Sequence, residues 1–198
     1  MSDKIACIVL AAGASRRFGS AKLLHTLPEG HSLFSQTLNI YASVFSSIHV
    51  VIGNQDNLVN QELIDLLTHH SAAAKLQLVQ NAHAEDGMSQ SIVAGVNATA
   101  DAAGWLVTLG DMPYVQAATV RALVAALQPD SIVMPRYRDQ TGNPVGFGRE
   151  FRAELQALQG DKGAKSITRA ALQKVQFIDV DDEGILQDID RPEDIISS

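Results

Sequence analysis

The chain is 198 residues long, 46% hydrophobic and 19% charged, and its 15 Lys+Arg against 22 Asp+Glu give a formal net charge of −7. This balance suits a soluble globular protein with enough chain to bury a real core, and it excludes the low-hydrophobicity, high-charge signature of disorder. It argues against a broad basic face for duplex nucleic acid, while leaving room for a small cationic pocket for a phosphorylated metabolite.

In chain order, Ile5–Leu10 is a β-branched-rich apolar run closed by a glycine loop, and reads as a buried strand. The longer apolar stretch Ile5–Ala14 is far below the ~18 to 20 residues of a membrane helix. It is also a poor secretory signal, because Asp3 accompanies Lys4 in the leader and Arg16 and Arg17 stand where cleavage would be expected. A cytoplasmic protein is therefore expected, with no membrane partner. The one cysteine, Cys7, lies on this strand, can make no internal disulfide and fits a reducing compartment as an inert packing residue.

Leu33–Val44 reads as a helix, with Leu38, Tyr41 and Phe45 at helical spacing. Ile48–Ile52 is a second strand. Asn57–His70 is a helix with Leu58, Leu63, Leu66 and Leu67 on one face. Leu76–Val79 is a third strand, and Met88–Ala98 a helix starting near Ser89. Trp105–Leu109 is a fourth strand, Thr119–Leu127 a helix ended by Pro129, and Ser131–Met134 a fifth strand. Strands alternating with helices imply right-handed βαβ units and a mostly parallel sheet with helices on both faces. Ligands then sit beyond the carboxyl ends of the strands, after Leu10, Ile52, Val79 and Leu109.

After Pro135 the pattern loosens. Val145–Phe147 suggests a short strand, Glu150–Leu158 a helix broken at Gly160–Gly163, Gln176–Val180 and Leu186–Ile189 strands, and Pro192 the start of a final short helix. No linker separates independent domains. One domain over residues 1–198 is expected, with a less regular portion after about residue 135.

The loop Ala11–Lys22 carries three cations, Arg16, Arg17 and Lys22, with no acid, and Gly13 and Gly19 allow main-chain N–H groups to approach an anion. These features suit a polyphosphate. It is not a dinucleotide fingerprint, since G-x-G-x-x-G is absent. It is not a P-loop either, since five residues separate Gly13 from Gly19 and Ser20 and Ala21 precede Lys22. The alternative is a solvated loop with chance charges.

After the fourth strand, Gly110 permits a turn that delivers Asp111 to the same sheet edge. A carboxylate there suits Mg²⁺, which prefers one or two carboxylates plus phosphate oxygens; the alternative is a helix or turn cap. Asp179–Asp194 holds eight of the 22 acids, most of them expected on a solvated surface. Asp188 and Asp190 flank Ile189, so strand alternation would put both on one face and make either a second metal carboxylate; the alternative is a polar strand face plus a cap. The six histidines lack zinc-helix spacing. Ser15, Ser89 and Ser91 lack the context of a nucleophile.

Six segments in order, LAAGASRRFGSAKLL (Leu10–Leu24), GMSQS (Gly87–Ser91), TLGDMPYV (Thr108–Val115), GNPVGFGREFRAEL (Gly142–Leu155), GDKGAK (Gly160–Lys165) and DIDRPEDI (Asp188–Ile195), resemble the MobA-like nucleotidyltransferases. The resemblance spans about Ile5 to Ile195 and is greatest to the molybdenum cofactor cytidylyltransferase branch. It implies a Rossmann-like, three-layer α/β fold with a mostly parallel, mixed central sheet. It implies Mg²⁺-dependent transfer of a nucleoside monophosphate from an NTP to a phosphorylated acceptor. By resemblance, Ala11, Ala12 and Gly13 lie against base and ribose, Arg17 and Lys22 hold the triphosphate, and Asn81 and Ser89 help bind the nucleoside. Asp111 binds Mg²⁺ with Asp190 as the second carboxylate, and the Gly142–Phe147 and Gly160–Lys165 segments face the acceptor. The Ala-Ala-Gly form of the first motif is similar to the cytidylyl branch, which implies CTP and molybdopterin, with a molybdoenzyme as a further partner. Three positions depart from the pattern: Phe18 replaces a common Met, Asn143 a common His and Arg191 a common Thr. The change at Asn143 bears on the acceptor. Activation of another phosphorylated acceptor with CTP or GTP, or non-catalytic carriage of the molybdenum cofactor, are the competing expectations.

Overall fold

Ile5–Leu10 forms β1, and its apolar run has the cause expected of a strand covered on both faces. It lies between β2 (Ser47–Ile52) and β4 (Gly104–Leu109), parallel to both. The computed structural model describes residues 4–12, 22–53, 64, 67–68 and 74–195. The described strands form one eight-stranded sheet in the order β3-β2-β1-β4-β7-β5-β6, with β8 pairing β5. The remaining strands are β3 (Lys75–Gln80), β5 (Ile132–Tyr137), β6 (Gln140–Thr141), β7 (Val145–Gly148) and β8 (Val175–Asp179). β7 runs antiparallel to both β4 and β5, so β5 regains the direction of β4, and β8 is parallel to β5. The carboxyl ends of β1 to β5 and of β8 therefore share one rim.

Two layers of helix cover the sheet. Alternation along β1 sends Cys7 and Val9 to one side. There they pack with Leu33, Phe34, Leu38 and Tyr41 of α1 (Leu33–Ala42) and Val120 and Leu123 of α3 (Ala117–Ala126). Ala6, Ile8 and Leu10 face the other side with Ile92 and Val96 of α2 (Met88–Ala98), Leu155 of α4 (Arg152–Gln156) and Ile167 of α5 (Lys165–Ala170). The polar atoms of the two largest side chains buried in the core are paired. Tyr41 Oη lies 2.6 Å from Thr108 Oγ1, and Trp105 donates Nε1–H to Thr99 Oγ1 at 2.9 Å. Cys7 is fully buried, and burial pushes its thiol well above the usual range, which leaves it inert. No helix among the described residues is long and apolar enough to cross a membrane.

The three-layer, mostly parallel mixed sheet is the expected one. Differences fall mainly after Pro135. Leu186–Ile189 is not a strand: residues Glu183–Leu186 form a 3₁₀ turn, and Ile185 and Ile189 are both buried, four positions apart rather than two. The Glu150–Leu158 helix is reduced to α4 behind a 3₁₀ turn at Arg149–Phe151. The expected short terminal helix is a single 3₁₀ turn, Pro192–Asp194. The short α5 is an element that no periodicity in the sequence predicts, since it buries only Ile167. Most of the Asn57–His70 helix lies outside the described residues.

Candidate active site

Three rim segments meet where the parallel strands end. The first leaves β1. Ala11 is buried and donates its N–H to the Val51 carbonyl at 2.8 Å, which continues the sheet past Leu10. Ala12 follows; Gly13, Arg16, Arg17 and Gly19 lie outside the described residues. The chain is described again at Lys22, in a 3₁₀ turn over Lys22–Leu24 anchored by buried Leu23. The second segment leaves β4 through Gly110, whose N–H donates to the Leu10 carbonyl at 2.9 Å and whose Cα lies close against the Phe34 ring. A side chain there would collide with that ring, so glycine lets the chain pass and deliver Asp111. The third comes from far along the chain: Ile189 is fully buried, its N–H donates to the Asp111 carbonyl at 3.0 Å, and Asp190 follows.

Lys22 Nζ donates to Asp111 Oδ2 at 2.7 Å and to Asp190 Oδ1 at 3.3 Å. The Lys22 and Asp111 side chains are 12% and 15% exposed, and that of Asp190 is 44%, so water screens only one side of the triad. Burial pushes the Asp111 carboxyl above the usual carboxylate range; the Lys22 ammonium pulls it back incompletely, and Asp188 adds to the rise. Burial draws Lys22 down, but Asp111 and Asp190 outweigh it and hold the ammonium above its ordinary range. The two results are compatible: Lys22 has two carboxylates, whereas Asp111 has one cation and has lost its water. Asp190, not Asp188, touches Lys22; Asp188 is exposed and acts on Asp111 through its charge.

The donor set suits a divalent cation. Asp111 Oδ1 is buried and makes no hydrogen bond, an orphaned acceptor beside a second carboxylate. These are hard oxygen donors of the kind Mg²⁺ or Mn²⁺ takes. Among the described residues no group of three His, Cys, Asp or Glu side chains is placed to hold an ion without further ligands. Phosphate oxygens and water would have to complete the shell.

Asn81 and Ser89 sit on the same rim, beyond β3 and at the start of α2. Asn81 is buried, donates Nδ2–H to Ser91 Oγ at 3.1 Å and accepts the His83 N–H at 3.0 Å. Ser89 is fully buried; its hydroxyl donates to the Gln159 carbonyl at 3.2 Å and its N–H to the Gly160 carbonyl at 3.2 Å. The start of α2 thus holds the 158–160 loop, and with it the following Gly160–Lys165 segment. Gly87 makes this docking possible: its φ is +109°, and a Cβ there would collide with Asp161 and the Gly160 carbonyl. On the other flank, the Asn143 N–H donates to the Ile185 carbonyl at 2.9 Å, which ties the Gly142–Phe147 segment to the turn before Asp190.

Two acids have roles that the acidic run concealed. Asp182 is buried, and its Oδ2 accepts from the Gln116 N–H at 2.8 Å and Thr119 Oγ1 at 2.6 Å, which caps α3 from a distant segment. Asp194 Oδ2 accepts the N–H groups of Asp190 at 2.9 Å and Arg191 at 2.7 Å, which fixes the backbone that carries Asp190. The Asp-x-x-x-Asp spacing around Pro192 was the available signal for Asp194; nothing in the sequence separated Asp182 from its exposed neighbours Asp181 and Glu183.

A sequence model of the MobA-like NTP transferase domain matches residues 7–175. The chain is 28% identical over 162 residues to the bifunctional protein GlmU of Xylella fastidiosa, covering 79% of this chain but 33% of that protein, so it spans about a third of that relative's length. It is 25% identical over 195 residues to the molybdenum cofactor cytidylyltransferase of Escherichia coli, covering 98% of this chain and 95% of the relative. The crystal structure of an Rv0371c homolog from Mycobacterium sp. strain JC1 superposes with a TM-score of 0.78 at 27% identity, covering 98% of this chain and 94% of that one. The chain belongs to the MobA-like NTP transferase family.

Proposed function

We propose that this member of the family moves CMP from CTP to the terminal phosphate of molybdopterin, or of its molybdenum-loaded form, and releases pyrophosphate. The observation that carries the reading is Lys22 set between Asp111 and Asp190 at the rim where β1 and β4 end. The near full-length similarity to a molybdenum cofactor cytidylyltransferase supports CTP and molybdopterin, as does the Ala-Ala-Gly form of the first motif. A cytoplasmic setting agrees with the lone buried thiol of Cys7.

In this reaction a phosphate oxygen of the acceptor forms a bond to the α-phosphorus of CTP. The bond from that phosphorus to the bridging oxygen of the β-phosphate breaks, and pyrophosphate leaves with the electron pair. Both reactants are anions, so the chain must first screen their repulsion and then align them. Lys22 supplies a positive charge to the triphosphate, joined by Arg17 from the preceding loop. Ala11, Ala12 and Gly13 bring small residues and main-chain groups against base and ribose. Asn81 and Ser89 frame the nucleoside side of the rim, and Ser89 also holds the acceptor-side loop in place. Asp111 and Asp190 would hold Mg²⁺, which supplies neutralising charge to the triphosphate and the leaving group. The acceptor phosphate is already ionised near neutral pH, so the site needs no strong general base. In this reading residues from about 1 to 135 bind the nucleotide, and residues from about 136 to 198 bind the acceptor and close the site.

The test is Mg²⁺-dependent pyrophosphate release from CTP, GTP, ATP and UTP with purified molybdopterin. The expected result is release with CTP. Release with GTP alone would place the chain in a guanylyl branch. Release with CTP only when a sugar or alcohol phosphate is supplied would change the acceptor. Tight molybdopterin binding with no release from any nucleotide would mark a carrier.

A further inference from the structure

The two side chains that suit a divalent cation are already bridged by a cation of the chain itself. The Lys22 ammonium lies 2.7 Å from Asp111 Oδ2 and 3.3 Å from Asp190 Oδ1. Its backbone is fixed by buried Leu23, while Nζ stands at the end of a flexible four-carbon stem. The second oxygen of Asp111 is buried without a partner, so the ammonium compensates the carboxylate only in part.

We infer that Lys22 is the resident counter-ion of this centre, holding Asp111 and Asp190 together in the nucleotide-free protein and yielding them only when a triphosphate arrives. This rests on the nucleotidyl-transfer reading of the same rim. An ammonium and a divalent cation compete for these two carboxylates, because like charges at such separations repel strongly in a partly desolvated site. A triphosphate changes the balance: its oxygens take up the ammonium and free both carboxylates. Lys22 therefore exchanges one set of anionic oxygens for another during substrate binding. The consequence is an order of assembly in which cation and nucleotide enter together, and the cation binds weakly by itself.

The experiment titrates nucleotide-free protein with Mn²⁺ and counts the free ion by electron paramagnetic resonance, for wild type, Lys22→Met, Lys22→Gln and the double variant Asp111→Asn/Lys22→Met. Removing the ammonium should tighten Mn²⁺ binding by about tenfold or more in both single variants, and the gain should vanish in the double variant. Inorganic tripolyphosphate should tighten Mn²⁺ binding to wild type and do so far less in Lys22→Met. Single variants that bind Mn²⁺ no better than wild type would overturn the inference, and so would a gain that survives in the double variant. These outcomes stand apart from failure of the transfer reading, which would appear as a wild type that releases no pyrophosphate from any nucleotide.

Discussion

The N–H of Ile189 donates to the carbonyl of Asp111 at 3.0 Å, and this one bond ties the end of the chain to the loop beyond β4. Ile189 is fully buried, so the following residue cannot drift from the rim. That is how Asp190 comes to share the Lys22 ammonium with Asp111.

Asp194 completes the arrangement by accepting the N–H groups of Asp190 and Arg191. Asp194→Ala should weaken Mg²⁺ half-saturation of the reaction by about tenfold, in line with the loss of an orienting partner behind a ligand. Thermal stability should hardly change, because the cap is exposed. Asp194→Asn keeps an acceptor oxygen and should recover most of the loss. Equal Mg²⁺ dependence in wild type and Asp194→Ala would remove Asp194 from the site.

Asp111→Asn separates stability from activity. Burial raises the Asp111 carboxyl above its unfolded value even with Lys22 beside it. The stability this group contributes is fully present below the unfolded carboxylate range, near ~4, and is lost as pH rises through the folded value. Without divalent cations at pH ~7.5, Asp111→Asn should be at least as stable as wild type, and the difference should shrink on acidification. Turnover should fall by orders of magnitude at saturating Mg²⁺. Chemical denaturation across pH checks the first point; a variant markedly less stable than wild type at neutral pH would contradict it.

Asp182 is structural. Its carboxylate receives donors from Gln116, Thr119 and Gly184, all close to the turn that follows Asp111. Asp182→Ala leaves those donors without their acceptor and removes the α3 cap, at a cost of about 2 to 4 kcal/mol. Urea unfolding with an unchanged m-value would measure it. A loss below about 0.5 kcal/mol would show that water replaces the carboxylate.

Lys165 opens α5 directly after the loop that Ser89 and Gly87 hold. If the Gly160–Lys165 segment faces the acceptor, Lys165→Ala should raise the acceptor KM by about tenfold and leave the CTP KM unchanged. A rise in the CTP KM alone would assign this lysine to the nucleotide.

Much of this architecture is legible in the residues because burial on both faces leaves a clear mark. β1, β2 and β4 are short apolar runs closed by polar or glycine turns, and Asp111 follows one of them directly. The later elements carry weaker signals. α5 buries only Ile167, which gives no periodicity to detect. Ile185 and Ile189 are anchors of an irregular segment, and their spacing imitates part of a strand. Asp182 hides in an acidic run because its burial depends on α3, more than 60 residues earlier, as its bond to Thr119 requires. The meeting of Lys22 with Asp190, 168 positions apart, is a property of the folded rim and of no local pattern.

The most direct measurement is a crystal structure of the protein with CTP and Mg²⁺. The triphosphate is expected between Lys22 and Asp111, with Asp190 beside the ion and Lys22 turned from the carboxylates to the phosphates. A nucleotide bound away from both Lys22 and Asp111 would contradict that placement.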